Sequence, residues 1–398
     1  MSEPFDVAVI GAGAAGMMCA SVAGQRGRRV VLIDHSPKLA EKIRISGGGR
    51  CNFTNTDASW PHYLSQNPHF CRSALARYTS QDFISLVKKY RIPFHEKHKG
   101  QLFCDRSSED IIQLLKSECA SGAVEWRMPV TVHRVSKQGE RFHLETSAGN
   151  FDAGHLVIAS GGLSIPKIGA TDFAYRIAKQ FDVPLIEPRP GLVPLTFDAT
   201  AWVPYGPMAG ISLEVEIQAG ERRSRGSFRE DLLFTHRGLS GPAVLQASNY
   251  WHPGMPISLN LLPELDVGPL LVAQKASIRK ALGNWLSQYL PSRLAEAWLV
   301  AHAFNPGVRI AELPDQQLRR LGDTLNRWEL LPTGSEGYRK AEVTLGGVDT
   351  RALSQQSMMV QAVPGLYLIG EAVDVTGWLG GYNFQWAWAS GVAAGLSV

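Results

Sequence analysis

Residues 5–16 read FDVAVIGAGAAG, and this stretch decides the fold. Its apolar start predicts a buried strand, its glycines a tight turn, and residues 17–27 a helix. A second apolar run, VVLI at residues 30–33, then ends in Asp34. The fingerprint of a Rossmann unit is a strand, a G-x-G-x-x-G turn, a helix and a second strand, with an acidic residue about 20 residues after the glycines. The sequence therefore predicts a dinucleotide site near the start of the chain.

The glycines of this turn have separate mechanical roles. Gly11 makes the tight turn, Gly13 lets the backbone approach a pyrophosphate, and Gly16 permits close packing of the helix. The helix N-terminus favours the phosphate charge, and Asp34 is placed to accept a ribose hydroxyl. The predicted cofactor residues in this segment are Gly11, Gly13, Ala14, Ala15, Gly16 and Asp34.

The far end of the chain predicts the other half of the site. Residues 365–371 read GLYLIGE, a strand that runs into a loop, and GGYN at residues 380–383 opens a final helix. An NAD dehydrogenase usually completes its nucleotide domain contiguously, whereas a return after a long excursion is typical of FAD folds. We therefore expect FAD. The predicted contacts from this end are Gly370, Glu371, Asp374, Gly381, Tyr382 and Asn383.

A third segment, SGGGRCN at residues 46–52, is here called the glycine loop. Consecutive glycines permit close backbone approach, and Arg50 supplies charge for a phosphate or for the flavin ring. A flexible surface loop would have a similar composition. Farther on, LVIA at residues 156–159 predicts a buried parallel strand that re-enters the sheet. The cofactor candidates here are Lys42, Gly48, Gly49, Arg50, Cys51, Asn52, Ser160 and Gly161.

Composition narrows the class of protein. The chain has 398 residues, of which 44% are hydrophobic and 19% charged, as in an ordinary soluble protein of two domains. A net charge of +4 is too small to imply nucleic acid by itself. The 5 cysteines are scattered and no C-x-x-C occurs, which argues against a disulfide framework, a dithiol reductase or a zinc site. We expect a cytoplasmic protein with no metal and no membrane association.

Prolines mark the domain organisation. Their density between residues 184 and 207 predicts a boundary, because proline does not sit inside helices or central strands. We expect an α/β fold in which residues 1–189 and 338–398 form a Rossmann-type FAD-binding domain. The insertion, residues 190–337, is expected to be β-barrel-like over 190–265 and mainly helical over 266–337. In the first domain we also expect a helix from about residue 74 to 90, and a capping box at Ser107 and Asp110.

Several motifs together carry a family resemblance. They are residues 11–16, the glycine loop, LFTHRGLSGP at 233–242, AEVTLGGV at 341–348 and DVTGWLGGYNFQWA at 374–387. Over essentially its full length the chain resembles the BaiN/RdsA family of FAD-dependent oxidoreductases, and most of all its RdsA branch. That branch implies reduction of a uridine to dihydrouridine in 23S ribosomal RNA or its precursor. Other branches are linked to ring double bonds in bile-acid-like substrates, and some members carry an aminoacetone oxidase label. The motifs say little about the substrate.

The chemistry of such a reduction suggests which residues act. Hydride goes from flavin N5 to C6 of the uracil and a proton goes to C5, so a positioned acid is expected. Cys51 and His236 are the two candidates. A buried cysteine is more often a small hydrophobe, and a histidine in Thr-His-Arg-Gly can simply fix a turn. No second fingerprint is present, so NAD(P)H is expected to dock transiently beside the flavin.

An RNA substrate would also need basic side chains to hold the phosphates that flank the target base. Solvated loops would show the same charge clusters. Two other functions remain open at this point: a small-molecule reductase or oxidase with the insertion as a lid, and a non-catalytic RNA-binding flavoprotein. The RNA candidates are Lys97, Lys99, Arg222, Arg223, Arg225 and Arg229.

Overall fold

The computed structural model describes residues 4–221 and 224–398. The chain divides into two compact units. Residues up to Pro190 together with Val343–Val398 form the first, and Gly191–Glu342 form the second. The first unit is thus assembled from both ends of the chain.

The main sheet of the first unit contains the Rossmann strands. Its parallel strands, in spatial order, are Glu125–Arg127, Val30–Ile33, Phe5–Ile10, Gly149–Ile158 and Leu366–Leu368. Ile10 pairs with both Ile33 and Ile158, so these strands end together at one edge of the sheet. Ligands of doubly wound folds bind outside that edge. The predicted α/β fold with a Rossmann sheet built from both chain ends is confirmed.

An antiparallel meander continues from the same sheet. Arg141–Thr146 pairs with the first half of Gly149–Ile158 on one side and with Val132–Gln138 on the other. The long strand therefore serves two partners: its first half closes the meander, and its buried second half joins the parallel sheet.

Two glycine contacts allow helices to pack closely around the fingerprint. The helix Ala14–Gln25, here the fingerprint helix, lies between Glu109–Ser121 and Tyr382–Gly395, the terminal helix. A Cβ added to Gly24 would lie 2.3 Å from the carbonyl oxygen of Gly122, and one added to Gly391 would lie 2.7 Å from that of Ala15. The terminal helix is therefore fixed against the first helix of the chain.

Smaller sheets and helices complete the first unit. In one sheet Gln101–Cys104 pairs with both Asn52–Asn55 and Phe94–Glu96. The other two sheets pair Tyr63–Leu64 with Thr376–Gly377 and Leu185–Gly191 with Val343–Val348. The remaining α-helices described are Glu41–Ile45, Arg72–Arg77, Ser80–Lys89 and Phe173–Gln180.

Two local predictions were wrong. The helix expected over residues 74–90 is broken, because a capping box formed by Thr79 and Asp82 starts a new helix at Ser80. The capping box expected at Ser107 and Asp110 does not form. The helix there starts at Glu109, whose backbone N–H donates to Ser107 Oγ at 3.1 Å, and its N-cap has no side-chain hydrogen bond.

The second unit is an antiparallel sheet with helices. Its strands pair in the order Trp328–Leu330, Ile257–Asn260, Ser212–Ala219, Gly226–Phe234, Gly238–Ser240, Leu195–Thr196 and Gly334–Ser335. The two edge strands follow each other along the chain, so their facing ends lie within roughly 15 Å. The sheet therefore curls towards itself in a barrel-like manner. Its α-helices in the described chain are Ala199–Trp202, Pro242–Ser248, Val267–Gln274, Leu282–Leu286, Ser292–Ala301 and Asp315–Asn326.

Candidate functional site

The glycine turn has the geometry that its spacing predicts. Gly11 has a φ of +111°, and a Cβ there would lie 2.3 Å from the carbonyl oxygen of Ala159. A Cβ on Gly16 would lie 1.8 Å from the carbonyl oxygen of Gly11. Beside Gly13, in contrast, no atom of the described chain lies within 4 Å of a built Cβ. The turn is therefore closely packed at Gly11 and Gly16 and open beside Gly13, where a pyrophosphate would approach the helix N-terminus.

Asp34 is held by the turn that it follows. Its two carboxylate oxygens accept hydrogen bonds from the backbone N–H of Ala12 at 2.7 Å and of Ser36 at 2.8 Å. Each oxygen keeps a further lone pair for a hydroxyl donor. The carboxylate is therefore oriented in advance for the ribose contact that the sequence predicts.

Ser160 and Gly161 follow the central strand at the same edge. The Ser160 hydroxyl is buried and has no hydrogen-bond partner within the described residues. Gly161 has a φ of +76° and open space on the side where a Cβ would stand. Because buried hydroxyls in folded proteins are nearly always paired, a ligand group is the natural partner of Ser160.

Both ends of the chain meet at Gly370. A Cβ there would lie 2.9 Å from the Cβ of Ala15, in the first turn of the fingerprint helix, and its backbone N–H donates to Ser390 Oγ at 3.1 Å. Gly370 has a φ of +67°, which favours glycine. The C-terminal segment thus runs directly past the start of the nucleotide unit.

Lys42 and Glu371 were predicted separately, and the structure joins them in a part-buried network. Lys42 Nζ pairs with Glu371 and also donates to Ser164 Oγ at 2.5 Å. The other Glu371 oxygen accepts from Ser164 Oγ and from the backbone N–H of Thr344, both at 3.0 Å. Sequence reasoning missed Ser164 and Thr344 as site residues, although Thr344 lies within the motif at residues 341–348.

The glycine loop is a formed structure that only glycine fits easily. Gly47, Gly48 and Gly49 have φ values of +56°, +66° and +85°. Space beside Gly48 and Gly49 is open, whereas a Cβ on Gly47 would lie 2.8 Å from the Phe103 ring. Arg50 is exposed, and its guanidinium pairs with no group in the described part of the chain. The loop therefore offers both backbone and an uncommitted positive charge to a ligand.

Two predicted contact residues hold other parts of the site. With its amide oriented to satisfy both ends, Asn52 accepts from Gly381 N at 3.2 Å and donates to Leu102 O at 3.1 Å. Asn383 accepts from Gly377 N at 2.8 Å and donates to Gly377 O at 3.0 Å. Both amides are used within the protein and fix the loops before the terminal helix.

Tyr382 and Asp374 are buried in the same region. The Tyr382 carbonyl accepts a hydrogen bond from Tyr63 Oη at 2.9 Å. Burial raises the pKa of the Tyr382 phenol to about 12. Asp374 accepts from Gln66 N at 2.7 Å and from Ser65 Oγ at 3.3 Å. Burial nevertheless raises the pKa of the Asp374 carboxyl above its ordinary value, since desolvation outweighs those hydrogen bonds.

The two proton-donor candidates differ in accessibility and lie in different units. Cys51 is fully buried, and that burial raises the pKa of its thiol well above the ordinary value. Complete burial is also what packing as a small apolar side chain gives, and proton transfer by Cys51 stays a prediction. His236 is exposed at the turn in which Thr235 Oγ1 donates to Gly238 O at 2.9 Å.

The predicted RNA contacts have different surroundings. Lys97 and Lys99 are exposed between the strands Phe94–Glu96 and Gln101–Cys104, and Lys97 Nζ lies 5.7 Å from the Phe103 ring centroid. In the second unit Arg225 donates to Gln218 Oε1 at 3.3 Å. Arg222 and Arg223 lie outside the described residues.

Arg229 lies between two acidic side chains. Its guanidinium pairs with Glu214 at 2.7 Å and also with Glu264, so two carboxylates already balance its charge. The sequence showed the arginine cluster but not these acids, of which Glu264 lies in a loop far along the chain.

Two further properties bear on the class of site. Within residues 4–221 and 224–398 no group of three or more histidine, cysteine and acidic side chains could hold a metal ion. None of the helices in these ranges is long and apolar enough to cross a membrane.

Comparison with known proteins agrees with this geometry. A family model for the HI0933-like protein Rossmann domain matches residues 5–397. The chain belongs to this HI0933-like family. It is 51% identical over 389 residues to the "Ribosomal RNA dihydrouridine synthase" of Escherichia coli (strain K12), which covers 98% of this chain and 96% of that protein. The resemblance inferred from the motifs is thereby confirmed.

Two other relatives match the chain over its length. The "Ribosomal RNA dihydrouridine synthase" of Haemophilus influenzae is 46% identical and covers 100% of this chain and 99% of that protein. The "3-dehydro-bile acid delta(4,6)-reductase" of Clostridium scindens is 26% identical, with 98% of each chain covered. The relatives that match nearly the whole chain are thus named for two different substrates, ribosomal RNA and a bile acid.

Proposed function

We propose that this protein is an FAD-dependent oxidoreductase that reduces uridine to dihydrouridine in ribosomal RNA. The observation that carries the proposal is the 51% identity, across 98% of the chain, to a relative of that name. The open, preformed nucleotide turn at Gly13 supports the cofactor independently of any relative.

The residues of the first unit fit FAD. Bound there, the flavin would supply a two-electron hydride carrier for the carbon–carbon double bond. The start of the fingerprint helix beside Gly13 would hold the pyrophosphate, and Asp34 the ribose. The buried Ser160 hydroxyl and the pair formed by Lys42 and Glu371 lie at the edge where further polar groups of the cofactor would bind.

The N-terminus of the terminal helix would stabilise the reduced flavin. Its first N–H groups follow Gly381, whose φ of +96° allows the chain to turn into the helix. A helix start favours negative charge, and a reduced flavin carries that charge at its pyrimidine edge. Asn383 and Asn52 keep this segment in place through the hydrogen bonds described above.

Addition of hydride at C6 leaves a proton to be delivered at C5, and His236 is the better of the two candidate donors. Its side chain is exposed whereas that of Cys51 is buried, and a donor must reach the substrate. The proposed electron donor is a nicotinamide, and it would bind transiently, because the sequence has one dinucleotide fingerprint only.

One specific observation favours a second candidate function. The Clostridium scindens relative is named as a bile-acid reductase, which is also a reduction of carbon–carbon double bonds. A ring enone is therefore the alternative substrate for the same cofactor.

The deciding experiment combines genetics with reconstitution. Dihydrouridine is mapped in the ribosomal RNA of a deletion strain that carries a plasmid encoding the wild type, the Gly13→Ala variant or no insert. We expect the modification with the wild type alone. Purified yellow protein with NADPH or NADH should restore it on RNA from the deletion strain. Unchanged RNA in the deletion strain, with turnover of a ring enone by the pure protein, would favour the alternative.

A further inference from the structure

A polar cleft in the first unit lies outside the dinucleotide residues. It has a volume of about 670 Å³ and opens to solvent. Four of its nine lining residues carry amide side chains, and amides have both the donors and the acceptors that read the edges of nucleotide bases. The polar side chains that line it include Asn67, Thr350, Arg351, Gln355, Gln356 and Gln361.

Two groups in this cleft lack a full set of partners. The Thr350 side chain is 1% exposed, and its hydroxyl has no hydrogen-bond partner among the residues described. Arg351 binds the Asp349 carboxylate through Nε and Nη2, yet 65% of its side chain stays exposed. A buried hydroxyl without a partner points to a ligand, and Arg351 keeps donors available for the same ligand.

The flank of the cleft carries a second feature. The Arg72 guanidinium lies 4.8 Å from the Trp60 ring centroid, and the His69 ring lies 5.0 Å from it. Arg72 and His69 are exposed. We call Trp60, His69 and Arg72 the Trp60 platform. Arg77, on the same helix as Arg72, donates to the carbonyl oxygen of Gln356 in the cleft wall. His69 also directly precedes Phe70, which lines the cleft, so the platform lies next to the cleft.

We propose that the cleft and the Trp60 platform together bind single-stranded RNA. The inference rests on the proposed function and deepens it, because it assigns a place to the nucleotides that flank the target uridine. One base enters the cleft and bonds to the Thr350 hydroxyl and the amides, and a neighbouring base stacks on the platform. Aromatic and guanidinium faces beside free arginine donors are the features with which proteins hold single-stranded RNA.

The surface lies beside the predicted cofactor site. Asn67 lines the cleft, and the preceding residue, Gln66, donates its backbone N–H to Asp374 at 2.7 Å. A nicotinamide dinucleotide also contains bases and phosphates, and it is the competing ligand that the experiment below separates from RNA. We assign the surface to RNA because ribosomal RNA is the substrate of the proposed function.

Binding of a short, labelled single-stranded oligouridine to the FAD-loaded protein tests the assignment by fluorescence anisotropy. Trp60→Ala should weaken binding by about tenfold or more through lost stacking. Arg72→Ala should lower the slope of log Kd against log salt by about one. Thr350→Val keeps the side-chain shape, so it should weaken binding several-fold without lowering the melting temperature. Arg141→Ala removes an exposed arginine of the same unit and should change nothing.

Each result decides between the ligands. RNA affinity that is unchanged in all three surface variants overturns the inference, and so does failure of the wild type to bind oligouridine. Slower flavin reduction by NADPH in the variants, with RNA affinity retained, would assign the cleft to the nicotinamide. Weaker RNA binding in the variants supports the surface even if the wild type forms no dihydrouridine, in which case the proposed function alone fails.

Discussion

The Gly13→Ala substitution should affect cofactor binding without affecting folding. Gly13 has a φ of −88° and a ψ of −164°, which alanine adopts without strain, and the space for a Cβ is open. Gly13→Ala should therefore change the free energy of unfolding of the cofactor-free protein by less than about 1 kcal/mol. The new methyl group would occupy the space in which the proposed function places the pyrophosphate.

The expected loss of affinity follows from the contacts that the methyl group blocks. Phosphate oxygens kept away from the helix N-terminus lose one or two charge-assisted hydrogen bonds, about 2–3 kcal/mol in all. That is roughly a 30- to 150-fold rise in the Kd for FAD. Quenching of flavin fluorescence during titration of the deflavinated protein measures it, and urea unfolding measures the stability.

Gly16→Ala is the matched control. Its Cβ would lie 1.8 Å from the carbonyl oxygen of Gly11, so the fingerprint helix must move. We expect a loss of about 3 kcal/mol or more in the free energy of unfolding, together with the loss of FAD binding. Wild-type FAD affinity in Gly13→Ala would refute the placement of the pyrophosphate. A large loss of stability in that variant would refute the open space beside Gly13.

Three further predictions address the network, the carboxyl group and the proton donor. A double-mutant cycle of Lys42→Met and Glu371→Gln should give a coupling of about 1 kcal/mol in urea unfolding, and no coupling would mean that the pair is not formed. The pKa of the Asp374 carboxyl is raised in the folded state, so the folded protein holds this proton more tightly than the unfolded chain does. The free energy of unfolding of the cofactor-free wild type should therefore fall, relative to that of Asp374→Asn, as pH rises from about 3.9 through the folded pKa. A difference in unfolding free energy that does not change between acid and neutral pH would contradict this. His236→Asn should lower the rate of dihydrouridine formation by about 100-fold or more with FAD still bound. Cys51→Ala should keep near-wild-type turnover. The opposite pattern would make Cys51 the proton donor.

The nucleotide unit was predictable because its determinants are local. The turn from Gly11 to Gly16 needs particular backbone angles and close approaches, and the glycines at these positions record that need. The strand apolarity and the acid at Asp34 are equally visible in the sequence. The helix break at Thr79 was missed although it has a local signal, because the hydrophobic spacing of the surrounding residues continues across it.

The roles of individual polar residues were harder to predict. Asn52 and Asn383 are predicted cofactor contacts, and the structure shows that their amides bond to backbone groups of the protein; the cofactor contacts themselves stay predictions. Arg229 looked like a phosphate contact, yet Glu264 and Glu214 balance its charge. For Asn52 and Arg229 the partners come from other segments, so composition near the residue shows its chemistry but not whether that chemistry is already used.

The sequence by itself determined that this protein has a Rossmann dinucleotide unit with its C-terminal end added to the same sheet. Those features arise from residue type and spacing within short segments. Only the tertiary structure decided which polar groups are paired: it joins Lys42 to Glu371 across 329 positions and buries Cys51. It also brings residues 67–70 and 350–361 together around a cleft. Such pairs depend on long-range packing, which places distant segments side by side and leaves no periodic pattern in either one.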